Sequence, residues 1–597
     1  MTGSSEATDL VLAELSGWVK AQCPNARDLT PGELSRYQAK DPIHGWVVPF
    51  EHQNDRFDLQ VVILQGFPWS KPRVYCPEKF QFMQFPHIEK DGAFCLFPPG
   101  TEHNPLNPKG LIWDSIKEAA QLIVASHDEA FLNDFADEFE SYWSKTEGGK
   151  NVVSLLSPDG ASRRVSLWCS IGDYYLADDD TVLESWLRNR FPGNKKDYNF
   201  TAATHINLNR PILPSEYPRS GAAILRFLRE LAPESIELLE DAAETADDKF
   251  TVSFEGRTDD GPVFFAVEVM PPVKPGVKAG RRPDMVQKGF RPGKVPNHTR
   301  MQRLFGGNKV ERHETMRADP SWIHGRDTRT VAPLFDKRVL MVGAGSLGSE
   351  VALLLAKTGI GSITLVDPEV LDYPNVGRHV LGVTEVRTYK AKSLAEKLTR
   401  NFPHMRSIKF FSEDWQSLYR KRPEVFHSTD LIVSTVGSWV VEGRLNQLAR
   451  NGADFPPFVY GWAEPFSVAG HAVLIGSKGP CLACGMDQFG TPLRSVCVWN
   501  TATKRKQPHC GASFQPYGPV SLSGVAALVA KTTTKALLGE VPMGTEAVYW
   551  ASKEEIAEQG GCFTPDFLNC FSDVPEFGGT KQLEWRQKGD CAFCAEA

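Results

Sequence analysis

Runs of apolar residues along the chain predict three differently organised stretches. Near the N-terminus an amphipathic helix over Leu10 to Lys20 precedes strand-like patterns at Trp46 to Pro49 and Leu59 to Leu64. Helical periodicity follows at Ile112 to Ser126 and Glu129 to Ser144, so residues 1–150 read as a self-contained α+β unit. Residues 151–270 mix short strands, Val165 to Ile171 and Val263 to Val269, with one helix over Gly221 to Glu240, and offer no chemical motif. From residue 330 the pattern alternates strand and helix: Arg338 to Val342, Leu347 to Thr358, Ser362 to Asp367, Ala391 to Asn401, Leu431 to Val436. That alternation predicts an α/β domain with a parallel sheet over 330–597.

Between these stretches, residues 271–300 hold six prolines, eight Lys or Arg and one Asp, so 271–329 is expected to be a linker or basic arm. The longest apolar stretches, such as Val351 to Ala356 and Gly524 to Ala530, fall short of the roughly 18–20 residues of a membrane span. Nor does a basic leader open the chain, so a cytoplasmic protein is expected. A net charge of −7 over 597 residues gives no electrostatic reason to expect nucleic acid as a direct partner.

Chemistry concentrates in the last third. The strand ending at Val342 runs into Gly343-Ala344-Gly345-Ser346-Leu347-Gly348 and a helix, and Asp367 closes the next strand. Glycines there let the backbone approach a phosphate or ribose, and the acid can accept ribose hydroxyls. Alone, this would favour a dinucleotide. Downstream, however, stand Glu369, Asn375, Arg378 and Lys390, a set that hydride transfer does not need.

The passage resembles the ThiF/MoeB-like activating enzymes of ubiquitin-like and sulfur-carrier proteins over about 330–597. That resemblance implies a Rossmann-like adenylation domain. Gly343, Gly345, Gly348, Asp367, Glu369 and Asn375 would then hold ATP with Mg²⁺, and Arg378 and Lys390 would act on the phosphates as a C-terminal glycine carboxylate attacks. The family often places an Asp after the strand corresponding to Leu431 to Val436, where this chain has Gly437 and Ser438. Family members usually pair as homodimers and carry a subunit-crossing Arg ahead of the first strand, for which Arg312, Arg317 and Arg326 are all candidates.

Eight of the twelve cysteines lie between Cys481 and Cys594. Two C-x-x-C pairs, Cys481/Cys484 and Cys591/Cys594, are expected to bind Zn²⁺ as a closed four-thiolate site. Cys510, before a glycine-containing turn and a helix, resembles the activating-domain nucleophile, with Cys562 and Cys497 as alternatives.

The segment from Gly66 to Gly100 resembles ubiquitin-conjugating enzymes through its Pro-rich strand exit and the spacing of Gly92, Cys95 and Leu96. Cys95 is the conjugating cysteine by that resemblance. His87 stands in the turn where the family has an Asn that stabilises the oxyanion, and reads either as a catalytic helper or as a packing residue. Fusion of the two domains in this order resembles the conjugation enzymes of CBASS antiphage operons. The resemblance implies a protein substrate, the C-terminus of a cGAS/DncV-like nucleotidyltransferase, ligated to a target lysine. A sulfur-carrier adenylyltransferase with a non-catalytic N-terminal domain is the alternative, and an NAD-binding sensor a third.

Overall fold

The computed structural model describes residues 3–98, 100–143, 149–170, 172–194, 197–246, 249–270, 289–291, 294–325, 332–451, 455–506, 513–571 and 576–595. It is a mixed α/β and α+β multidomain chain that divides into two compact units. The first comprises 1–154, 158–179 and 199–316, and the second 155–157, 180–198 and 317–597.

In the first unit, strands β1 (Arg27–Asp28), β2 (Pro42–His52), β3 (Asp55–Leu64) and β4 (Arg73–Tyr75) form an antiparallel sheet in sequence order. The helix Pro108–Ala125 starts with proline at its first turn and with the Asn107 side chain accepting from Gly110 N. It buries Ile112, Ile116, Ala119 and Ile123 in the core that contains Trp46, Leu59 and Val61.

The expected helix over 129–144 is instead three short pieces, Glu129–Asn133, Asp134–Asp137 and Phe139–Trp143. Their aromatic side chains explain the break. Phe135, Phe139, Tyr142 and Trp143 leave the N-terminal core and pack with Phe254 and Phe265 of the next module, and Trp143 Nε1 donates to His313 O at 2.7 Å. By packing, then, residues 1–150 are not self-contained.

That module is a closed barrel. Strands β5 (Asn151–Ser154), β6 (Arg163–Cys169), β7 (Asp173–Ala177), β8 (Thr201–Asn207), β9 (Phe250–Thr258), β10 (Gly261–Val269) and β11 (Val310–Arg317) close in the order β10-β11-β5-β7-β6-β8-β9. β11 lies inside the stretch expected to be linker, and pairs antiparallel with β10 from Ala266↔His313 to Val269↔Val310. The expected helix over 221–240 splits into Gly221–Leu231 and Ile236–Thr245 around Pro233, which has no N–H to continue the ladder.

The second unit is built on eight strands: β12 (Arg338–Val342), β13 (Ser362–Val366), β14 (Ser407–Phe411), β15 (Leu431–Ser434), β16 (Phe458–Ala463) and β17 (Ala469–Ile475), then two further strands. Two small ribbons intervene, β18 (Cys497–Trp499) with β22 (Gly561–Phe563) and β19 (Arg505–Lys506) with β20 (Ser513–Phe514). The sheet finishes with β21 (Thr545–Trp550) and β23 (Gly579–Glu584). Its order is β14-β13-β12-β15-β16-β17-β21-β23, parallel through β16 and antiparallel beyond. Helices Ser346–Lys357 and Pro519–Leu537 cover the core formed by Met341, Val351, Leu355, Leu365, Val433, Val525 and Val529. Among the described residues no helix is long and apolar enough to cross a membrane.

Candidate nucleotide cleft, metal centre and thiols

Central strand β12 points its C-terminal end at the glycine turn, beside the β12/β15 crossover, where open α/β sheets bind ligands. Gly343 has φ +96°, left-handed backbone that an L side chain resists. A Cβ at Gly348 would lie 2.1 Å from Gly343 O, so only glycine lets the helix Ser346–Lys357 close on the strand. At Gly345, by contrast, a Cβ would meet nothing within 4 Å, which leaves that backbone open to the cleft.

Three side chains hold this turn. The buried Asp367 carboxylate accepts from Ala344 N through Oδ2 and from Glu369 N through Oδ1, both at 2.7 Å. Burial raises its pKa against those two bonds. Thr435 Oγ1 donates to Gly343 O at 3.1 Å. His379 accepts from Leu381 N at Nδ1 (3.0 Å), so its Nε2–H donates to Ala344 O (2.7 Å). Asp367 was legible in the sequence as a ribose ligand; the structure gives each of its oxygens a backbone partner. His379 and Thr435 carry no motif, and only the fold brings them to the turn.

The cleft holds about 470 Å³ and is bordered by Gly345, Glu369, Asn375, Arg378, Lys390 and Glu442 among others. Lys390 opens the helix Lys390–Asn401 and is almost wholly buried, with Nζ 2.5 Å from the exposed Glu369 carboxylate. Asn375 Oδ1 accepts from Asp372 N at 3.0 Å, fixing the turn that carries Arg378. The Arg378 guanidinium lies 5.0 Å over the Tyr517 ring, and among the described residues it has no carboxylate partner and its buried Nε no hydrogen-bond partner. A half-buried cation with a buried donor to spare, beside an open glycine turn, can receive an anion.

Strand β15 ends at Ser434, two residues short of the expected Val436, and Gly437 follows it by three residues with φ +64°. Behind it the Glu442 carboxylate accepts at Oε1 from Ser434 Oγ (2.9 Å) and Gly437 N (3.3 Å). Burial pushes its pKa up to about 7. Asp430 is spoken for: it takes Arg338 N at 2.7 Å and its guanidinium at 3.1 Å.

Cys481, Cys484, Cys591 and Cys594 converge, with their sulfurs all within 4.8 Å of one another. The Sγ–Sγ distances of 3.8, 3.6 and 3.4 Å match the edge of about 3.8 Å that Zn–S bonds of about 2.3 Å give a tetrahedron. This donor set fits Zn²⁺. Trp585 Nε1 donates to Cys481 O (2.9 Å), and Leu482 N to Asn446 Oδ1 (2.8 Å), locking the first pair.

Cys510 lies outside the described residues. Of its alternatives, Cys497 on β18 is buried, and burial together with the nearby Glu464 charge drives its thiol pKa well up, which disfavours the thiolate. Cys562 is exposed on the paired strand β22. In the first unit Cys95 is exposed, and its N–H donates to His87 O at 2.7 Å. His87 itself has φ +59°, and both ring nitrogens meet carboxylates: Nε2 meets Asp134 at 3.0 Å and Nδ1 meets Glu138 at 3.1 Å. The Glu138 bond leads in raising its pKa. Both ring nitrogens are engaged in this geometry, an arrangement that suits packing and that a catalytic helper would have to break. Among the subunit-crossing candidates, Arg317 is paired with Asp319 (2.9 Å), Arg312 sits on barrel strand β11, and Arg326 lies outside the described residues.

A buried polar core sequence reasoning missed joins β17 to β21. His471 bonds Glu464 and Glu546, each at 2.9 Å, and Arg494 reaches Glu546 at 3.0 Å. Glu464 also accepts from Val496 N and Cys497 N.

Residues 326–555 match the ThiF family and residues 21–152 the prokaryotic E2 family B. An "ATP-dependent ubiquitin transferase-like protein Cap2" of Escherichia coli (strain TW11681) is 21% identical over 533 residues, covering 82% of this chain and 86% of that one. The NEDD8-activating enzyme E1 catalytic subunit of Schizosaccharomyces pombe is 27% identical over 30% of this chain and 40% of its own. A probable adenylyltransferase/sulfurtransferase MoeZ of Mycobacterium tuberculosis is 40% identical over 25% of this chain and 36% of its own.

Proposed function

We propose that this chain, a prokaryotic E2-family segment joined to a ThiF-family segment, activates the C-terminal carboxylate of a polypeptide with ATP and ligates it to an amine. One observation carries the reading: Arg378, a cation without a carboxylate partner among the described residues, and buried Lys390 border the same cleft as the open Gly345 backbone.

The substrate carboxylate attacks the α-phosphorus of ATP, the bond to the β-phosphate breaks and pyrophosphate leaves. Two anions must meet, and the charges of Arg378 and Lys390 offset their repulsion while the turn residues fix the phosphates. The Cys510 thiolate then displaces AMP from the acyl carbonyl. Exchange onto the Cys95 thiolate follows, and an amine finally displaces that sulfur, giving an amide and returning the thiol. The Cap2 match supports ATP-dependent ubiquitin-transferase-like chemistry; the resemblance to CBASS conjugation enzymes extends the proposal to a cGAS/DncV-like nucleotidyltransferase as the activated polypeptide and a lysine as the acceptor, with the adenylation domain working as a homodimer in the cytoplasm.

ATP chemistry of this kind uses Mg²⁺, which would draw charge from the phosphate oxygens. Gly437 supplies no ligand. Of the carboxylates bordering the cleft, Glu369 is paired with Lys390 and Glu464 with His471, whereas Glu442 has no cationic partner among the described residues and would hold the ion. Zn²⁺ would be held by Cys481, Cys484, Cys591 and Cys594 and would supply structure rather than chemistry.

Incubation with ATP and candidate polypeptides, read on non-reducing gels, tests the relay. Cys510→Ala is expected to abolish every thiol-sensitive adduct. Cys95→Ala is expected to retain the Cys510 adduct and lose the amide-linked product; amide formation by Cys95→Ala refutes the relay. The MoeZ similarity favours one second reading, sulfur transfer, which would instead yield a polypeptide 16 Da heavier by mass spectrometry.

A further inference from the structure

A second cavity, of about 550 Å³, lies in the first unit, between the N-terminal part of the helix Gly221–Leu231, the loop before it and strand β11. It is bordered by Arg219, Arg226 and Arg312. The acids on its wall are already committed: Glu216 and Glu230 both pair with Arg210, at 2.8 and 3.4 Å. Among the described residues none of the three cavity arginines has a carboxylate partner. Arg312 stacks over Tyr217 at 5.2 Å and over Trp143 at 5.5 Å, which fixes its guanidinium without neutralising it. Burial lowers the Arg312 pKa, and the neighbouring charge of Arg219 lowers it further. Tyr217, 9% exposed, also borders the cavity and supplies the ring on which Arg312 stacks.

Three guanidinium groups that border one cavity without a carboxylate partner favour an anion of more than one charge with several acceptor oxygens. A carboxylate offers one charge and two oxygens; a phosphate monoester or diphosphate offers two or three charges and matches the arginine fork. The volume lies in the range of small-molecule sites and admits a ligand of nucleotide size. We propose that this cavity binds a small phosphate-bearing ligand, separate from the ATP cleft of the second unit.

ADP titrated calorimetrically into the full chain is the test. Two equivalents per chain are expected. Lys390→Ala should weaken only one of them. The double variant Arg219→Glu/Arg226→Glu, both exposed positions, should weaken the other by about 100-fold and leave ATP–pyrophosphate exchange unchanged. Millimolar inorganic phosphate should displace that second equivalent. Arg312→Gln, which removes the stacked charge without reversing it, should weaken it about tenfold, providing a readout if charge reversal impairs folding. A single equivalent in the unaltered chain, or a second that survives both sets of substitutions, overturns the proposal.

Discussion

At the scale of single residues, the second unit keeps charges buried where they position backbone. His471 is held between Glu464 and Glu546, and these partners raise its pKa to about 9, outweighing burial. Folding therefore increases its proton affinity. Its stabilising contribution is complete below the ordinary value near 6.5 and is lost as pH climbs through about 9. His471→Gln is expected to cost about 3 kcal/mol at pH 6, because buried Glu464 loses its cation and buried Glu546 keeps only Arg494, and less at pH 9.5. Urea unfolding at the two pH values measures both.

At the scale of elements, the glycine turn works because a strand and a helix can touch. Gly348→Ala would set a Cβ 2.1 Å from Gly343 O and 2.6 Å from Thr435 Oγ1. A stability loss of about 1–3 kcal/mol is expected by chemical denaturation, with a matching rise in the KM for ATP as the turn shifts. This element was legible because an apolar run, spaced glycines and a terminal acid all report one local geometry. The barrel was not. β9 and β10 are buried along nearly their whole length, polar Ser253 and Glu255 included, so no alternation marks a face. β11 reads VERHETMR, almost wholly polar, and pairs across the Pro-rich basic run. Likewise Phe135 to Trp143 look like a helix face of the N-terminal unit, and only tertiary packing assigns them to the barrel. In the cleft, Lys390 and Arg378 were readable through the resemblance to ThiF/MoeB-like enzymes, whereas His379 and Tyr517, although inside the segments that carry that resemblance, and Glu442, outside them, gain their places only from the fold.

Across the whole molecule, ends distant in sequence are joined by chemistry. Cys591 and Cys594 meet Cys481 and Cys484 from 110 residues away. One zinc per chain is expected by metal analysis, falling to near zero in Cys591→Ser/Cys594→Ser. That variant should also melt lower and expose the C-terminal segment to proteolysis, because a metal clip of this length constrains the unfolded chain. On the proposed relay, two transfer thiols on one polypeptide would each see a raised concentration of the other, the physical benefit of joining the two segments. The measurement that bears most directly on the proposed activity is exchange of labelled pyrophosphate into ATP. With a cognate polypeptide ending in an unmodified carboxylate, exchange is expected, is retained by Cys95→Ala and Cys510→Ala, and falls about 100-fold or more in Arg378→Ala. The same polypeptide amidated at its C-terminus should support none. Equal exchange with the amidated polypeptide, or exchange indifferent to Arg378, would contradict activation of a terminal carboxylate in this cleft.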